Sequence, residues 1–229
     1  MIPPSTLSRV FLALFVVLAL AHLAIQLLGF DTWSRPTQVF LMPVLLLVVA
    51  SATRRPRSRI IISTMVALAF SWLGDTAPAF ASGDIAFLLM VGFFLVAQVV
   101  YVVAFWPHRA DSVLFRRRWG LLPYVGFVAV LVWVCAPHAG GLLVPVLLYG
   151  LVLGSMAILA TGLGSWVAVG GALFLISDAL IALRTFAPAW DPPVGGFWVM
   201  STYIAAQALI VLGLLAREPA RASRVGTAA

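Results

Sequence analysis

Eight long apolar stretches follow one another along this chain, over 10–29, 37–53, 60–77, 84–106, 119–136, 142–160, 165–187 and 196–216. Each comes close to or exceeds the roughly 20 residues that a helix needs to cross the hydrocarbon of a bilayer. Inside lipid the backbone has no water to bond, so such stretches must satisfy their own amides and carbonyls as helices. Composition points the same way: 63% of the 229 residues are hydrophobic and 9% are charged. That is too little polar surface to cover a water-soluble globule. The expected fold is all-α, a polytopic membrane bundle of eight transmembrane helices. It forms a single domain over 1–216, followed by a disordered basic cytoplasmic tail over 217–229. The second stretch is the shortest and is expected to lie with little tilt or in a locally thinned bilayer.

Charge sets the orientation. All fourteen basic residues are Arg, against seven acidic ones, for a net charge of +7. With the N-terminus in the cytoplasm, alternation places twelve of the fourteen on the cytoplasmic side, and only Arg35 and Arg184 on the other. Loops that stay cytoplasmic carry such an excess. Both termini are therefore expected to be cytoplasmic, and the basic surplus is not read as a nucleic-acid surface. The first stretch contains an A-x-A pattern at Ala19 and Ala21. Its apolar run exceeds the roughly 7–15 residues of a signal-peptide core, so it is read as a retained helix. The lone Cys135 excludes an intramolecular disulfide, and His22, His108 and His138 are scattered without zinc-ligand spacing. No metal and no cofactor is expected. Trp33, Trp106, Trp119, Trp190 and Trp198 fall near the ends of stretches, as an interfacial belt would place them.

Two of the seven acids lie inside apolar stretches. Asp75 follows Trp72 and Gly74 in FSWLGDTAPAF, and Asp178 lies in GGALFLISDALIAL. An ionisable side chain in hydrocarbon costs about 2.5–3.5 kcal/mol even on the lenient scale, so both are candidates for function. Asp75 is about 15 residues into its helix, roughly 22 Å, and Asp178 about 13 residues into its own, roughly 20 Å. Both helices run outward, so the two carboxyls reach similar depth. Facing each other across a cavity, one could hold a proton while the other is ionised, a general acid beside a general base. The structural alternative is that each caps a helix end or ties a kink. Gln98 with Tyr101, Tyr149, and Tyr203 with Gln207 are further polar groups on the apolar stretches, where interhelical hydrogen bonding is their commoner use. They are taken as candidate cavity-lining groups. Arg35, before Pro36 on the outer side, could meet an anionic headgroup or simply snorkel. His22 is read as a buried polar residue rather than a ligand.

The patterns Ser71-x-x-Gly74-Asp75, Phe87 through Phe94 to Tyr101, VPVLLYGLVLGSMA over 144–157, GALFLISDALIA over 171–182 and YIAAQALI over 203–210 occur in this order. In them the chain resembles the YhhN family of membrane lysoplasmalogenases over nearly its whole length. The resemblance implies a membrane enzyme that cleaves the vinyl ether bond of lysoplasmalogens. The products would be a fatty aldehyde and glycerophosphocholine or glycerophosphoethanolamine. It implies Asp75 and Asp178 as the catalytic pair, a lysophospholipid as substrate, membrane lipids as surroundings and a multi-pass location in a bacterial plasma membrane. The chain departs from the family at Gln98, where His is frequent, at Met90, where Gly is frequent, and at Pro78, where Leu is usual. Gln hydrogen-bonds but does not shuttle a proton at neutral pH. Two other classes stay open, a small proton-coupled transporter and a non-catalytic lysolipid-binding protein. An intramembrane aspartyl protease is disfavoured, because Trp72 stands where its G-x-G-D motif needs glycine.

Overall fold

The computed structural model describes residues 5–187, 190 and 192–226, without the side chains at 31 and 219–226. Of the tail expected over 217–229, the last three residues lie outside the described ones. The described chain is all-α. Its helices are α1 (Thr6–Leu27), α2 (Asp31–Ala52), α3 (Arg59–Thr76), α4 (Gly83–Phe105), the four-residue α5 (Val113–Arg116), α6 (Leu122–Ala139), α7 (Leu143–Ala160), α8 (Ser165–Phe186) and α9 (Gly195–Gly226). Among the described residues seven helical stretches are long and apolar enough to cross a membrane, and the protein is a multi-pass membrane protein. One of the seven, Arg118–Leu163, is 46 residues long and contains both α6 and α7. The backbone breaks between them at Gly140, whose φ of 51° is accessible to glycine at little steric cost.

The surface is inside out relative to a soluble protein. On α1, Val10, Leu14, Val17 and Leu20 are exposed, and on α6 so are Leu122, Val125, Val130 and Trp133. These are faces for lipid tails rather than water. The interior is lined by stripes with helical spacing. Leu41, Met42, Leu45, Val48 and Val49 form that of α2, and Tyr203, Ala206, Gln207, Ile210, Val211 and Leu214 that of α9. Glycines set how closely the central helices approach. A Cβ at Gly170 would lie 2.8 Å from the Ala206 carbonyl oxygen on α9, and one at Gly171 2.8 Å from the Ala160 Cβ on α7. Adjacent glycines thus let α8 lie tight against two neighbours at once, which is how membrane helices gain contact without a hydrophobic drive.

Two sequence expectations need correction. The second stretch was expected to begin after Pro36, but α2 starts at Asp31 and runs through Pro36 and Pro43. Proline costs a backbone bond yet is tolerated in membrane helices, where Ser and Thr side chains re-satisfy freed groups. The Thr37 hydroxyl donates to the Trp33 and Ser34 carbonyls in the turn around Pro36. With 22 residues α2 needs no thinned bilayer. Ser82 stands at the N-cap of α4 without a side-chain cap bond, and Asp84 occupies the first turn, where its charge suits the helix dipole. Trp33, Trp106, Trp119 and Trp198 are exposed close to helix ends.

Candidate functional site

The S-x-x-G-D pattern on α3 has a separate task for each residue. The Ser71 hydroxyl accepts a bond from Gln207 Nε2 on α9 at 3.0 Å. Gly74 lets the Phe94 ring of α4 lie on the backbone, since a Cβ there would be 2.7 Å from Phe94 Cδ2. Asp75 then projects past this contact with both oxygens engaged. Gln38 Nε2 of α2 donates to Oδ1 at 2.9 Å, and the Tyr203 hydroxyl of α9 donates to Oδ2 at 2.9 Å. Three helices converge on one carboxylate.

The second pattern, G-A-x-x-F-x-x-S-D on α8, is used in the same way. Gly171 admits α7. Phe174 meets the rings of Phe94 and Tyr203 edge to face, with centroids 6.2 and 5.5 Å away. The Ser177 hydroxyl donates to the Val199 carbonyl at 3.0 Å and ties α8 to the start of α9. Asp178 receives a bond from the Tyr149 hydroxyl of α7 on Oδ2. The rings of Phe94, Phe174 and Tyr203 contact one another in pairs and form one aromatic cluster.

Both carboxyls open into one cavity of ≈ 730 Å³, within the range of small-molecule sites. Arg35, Asp75, Asp178 and Tyr203 line it. A narrow slot of ≈ 40 Å³ adjoins it and shares Met90, Phe94, Asp178 and Ile181. Tyr149 lines the slot. Its remaining walls are apolar, from Phe87, Val91, Val146, Ala182 and Phe186. Asp178 therefore stands where a polar space meets an apolar one. Among the described residues no three His, Cys, Asp or Glu side chains come together as a metal site would require.

Gln98, Tyr101 and Gln207 were expected to line the cavity and do not. All three are fully buried and stand behind its wall. Tyr101 donates to Gln207 Oε1 at 3.0 Å, and Gln207 passes the chain on to Ser71. This network braces α3, α4 and α9 from behind. Gln98 lies near the Tyr149 hydroxyl, yet neither its Nε2 nor its Oε1 has a partner at hydrogen-bond geometry. A buried orphan amide costs about 1–3 kcal/mol. Gln98→Met, of similar length, is accordingly expected to leave Tm unchanged or raise it by a few degrees in a thermal melt. His22 is buried, within 2.8 Å of the Thr37 hydroxyl and 3.4 Å of the Gln26 amide, as a bonded interior polar group.

Two contributors escaped the sequence reading. Gln38 holds Asp75, and Arg184 lines the cavity. Gln38 lies three residues after Arg35 on the same helix face, which was the available signal. Lone amides on apolar helices are common enough that it does not stand out.

Comparison with known proteins gives a consistent picture. The YhhN family model matches residues 33–214. A mouse protein named lysoplasmalogenase TMEM86B is 40% identical over 82 residues, 34% of this chain and 34% of its own length. Proteins named lysoplasmalogenase from Mycobacterium bovis and Mycobacterium tuberculosis are each 30% identical over 174 residues, 73% of this chain and 66% of theirs. The chain thus matches about a third of the mouse relative and just under two thirds of the mycobacterial ones. No solved structure matches.

Proposed function

Because the chain belongs to the YhhN family, we propose that it is a membrane hydrolase that cleaves the vinyl ether bond of lysoplasmalogens, with Asp75 and Asp178 as its acid–base pair. The protein crosses the bilayer eight times with both termini in the cytoplasm, since α6 and α7 are each long enough to span and the arginines then segregate to one side. The observation that carries the reading is the pair of carboxyls on two helices lining one cavity, each held by a tyrosine from a third and a fourth helix.

The chemistry suits that arrangement. A vinyl ether hydrolyses when a proton adds to the alkenyl carbon distal to oxygen, leaving an oxocarbenium ion. Water then attacks the carbon next to oxygen and gives up a proton. The resulting hemiacetal collapses to a fatty aldehyde and the glycerol hydroxyl, so one water is consumed and the proton is returned. Asp178, which lines both spaces, supplies the proton to carbon. Asp75, with both oxygens accepting hydrogen bonds, acts as the carboxylate that steadies the cation and takes the proton from water. The division of labour parallels that of the two carboxyls in glycoside hydrolysis. Arg35 meets the lipid headgroup. Gln98 stands behind the cavity wall, and no step needs a proton carried at that position.

The expected isotope outcome is specific. Turnover in heavy water should place one deuterium on the aldehyde carbon next to the carbonyl, read by mass spectrometry under conditions where the free aldehyde does not exchange. Aldehyde without that deuterium would rule out protonation at carbon. Tyr149→Phe and Tyr203→Phe remove one hydrogen bond each from the carboxyls, and kcat should fall about 10–100-fold, corresponding to roughly 1.5–3 kcal/mol for a bond to a charged group. A fall in kcat with little change in KM would mark them as positioning residues.

A further inference from the structure

We infer that Arg184, together with Arg35, forms a two-armed site for the phosphate of a single-chain phospholipid, which measures the distance from phosphate to ether bond and so sets that bond against Asp178. The inference rests on the hydrolase reading for its substrate and adds a binding site to it. Among the described residues, Arg35 and Arg184 are the only arginines that line the cavity that holds both aspartates. They come from different helices, Arg35 from the first turns of α2 and Arg184 from the last turn of α8. Neither has an acidic partner within salt-bridge distance among the described residues, whereas Arg116 is paired with Asp111 at 3.5 Å. Their guanidinium groups are thus available to an outside anion.

Arg184 is also held by the backbone. A Cβ at Gly195, the first residue of α9, would lie 2.9 Å from Arg184 Nε and 3.1 Å from its Cζ. The guanidinium therefore lies against the backbone at Gly195, and a side chain there would displace it. Beside it, a Cβ at Gly196 would be 2.4 Å from Gln26 Oε1, so a second glycine admits an amide to the same wall. Two planar guanidinium forks facing one space match the oxygens of a phosphate, which accepts bidentate bonds. Arg184 lies six residues beyond Asp178 on one helix, a rise of roughly 9 Å. A phosphoglycerol unit held at Arg184 spans that interval and brings its ether oxygen to the carboxyl. The alkenyl chain then leaves past Asp178 on the apolar side, where Phe87 and Phe186 meet edge to face with centroids 5.4 Å apart. A neutral alkenylglycerol has the bond but not the anchor, and free glycerol phosphate has the anchor but not the chain.

Binding can be separated from turnover by using ligands that the enzyme cannot cleave. The probes are a saturated 1-O-alkyl lysophosphatidylcholine, the matching 1-O-alkylglycerol without phosphate, and glycerol 3-phosphate, each titrated calorimetrically into the full chain in detergent. The native protein should bind the phospholipid at least ~10-fold more tightly than the alkylglycerol, as expected for charge-assisted bonds to phosphate. Arg184→Gln should remove most of that preference while leaving alkylglycerol binding unchanged. Arg184→Lys, which keeps the charge and loses the fork, should fall between the two. Gly195→Leu, which displaces the guanidinium without touching its charge, should mimic Arg184→Gln. Equal weakening of both lipids by Arg184→Gln, or no weakening of either, would overturn the inference. So would glycerol 3-phosphate binding as tightly as the lipid, which would assign the arginines to soluble phosphate esters. If phosphate discrimination holds but no vinyl ether is cleaved, the hydrolase reading fails and the phosphate site stands. If cleavage proceeds with no phosphate discrimination, only the phosphate site fails.

Discussion

Asp75→Asn and Asp178→Asn should each lower turnover of a lysoplasmalogen by about 10²–10⁴-fold while leaving the protein folded. The substitution keeps the size of the side chain and removes its capacity to give or take a proton. Structure around each site can absorb the change. At Asp75, Gln38 Nε2 can still donate to the remaining oxygen, and the Tyr203 hydroxyl, which now donates to Oδ2, can rotate and accept from the new amide. At Asp178 the amide oxygen can still take the bond from Tyr149. Replacing an isolated buried acid by a neutral amide also lightens the cost of placing it in the membrane. Equal or raised Tm together with lost turnover is therefore the expected signature. A variant that loses turnover only because it no longer folds would be recognised by its melt and its elution from a sizing column. Retained turnover in either folded variant would remove that residue from the chemistry.

The largest effect on stability is expected where α8 meets α9. Gly170→Leu pushes a side chain into the Ala206 carbonyl at 2.8 Å, and Ile210 Cγ1 is also 2.8 Å away with its backbone nitrogen at 3.0 Å. A carbonyl on a helix cannot rotate aside, so the two helices must separate. Overfilling of this kind costs about 1–3 kcal/mol, occasionally more. It also moves Tyr203 relative to Asp178, because these lie on the same two helices, and activity should fall with stability. Gly92→Leu on α4 is the control. Nothing lies within 4 Å of its added Cβ, and the position is exposed. There the only change is a gain of about 0.8–1 kcal/mol in helix propensity or less, so Tm should hold or rise. Equal losses in the two variants, measured by thermal melts in one detergent, would contradict the close α8–α9 contact.

Much of this architecture was legible because hydrocarbon imposes a strict rule. A stretch of apolar residues long enough to span must be a helix, so α3, α4, α7 and α8 start and stop within a residue of where hydropathy places them. The bounds fail where the rule has an exception. Pro36 reads as a helix boundary in sequence, yet α2 runs through it, as membrane helices can. APHAGG reads as a loop, yet α6 continues through Pro137 to Ala139 and only the positive φ of Gly140 stops it.

The site was legible through scarcity. Two acids inside apolar stretches at similar depth are conspicuous, and the structure brings both to one cavity. The spacing of the two motifs hid more than was read from it. Gly74 and Gly171 are there for the approach of Phe94 and of α7, which no single-chain pattern reveals. Polar residues on apolar helices were visible but not sortable. Tyr149 and Tyr203 reach the carboxyls, whereas Tyr101, Gln98 and Gln207 lie behind them, and the difference is a matter of helix rotation. Weak amphipathicity gives no handle on rotation in helices that are apolar all round.

The central claim is that this cavity hydrolyses a vinyl ether, and the direct measurement is aldehyde release by the purified native protein in detergent. A 1-alkenyl lysophospholipid should yield fatty aldehyde and the glycerophospho product in equal amounts, and the saturated 1-alkyl analogue should yield neither. No aldehyde from well-folded protein, with either a choline or an ethanolamine headgroup, would contradict the account.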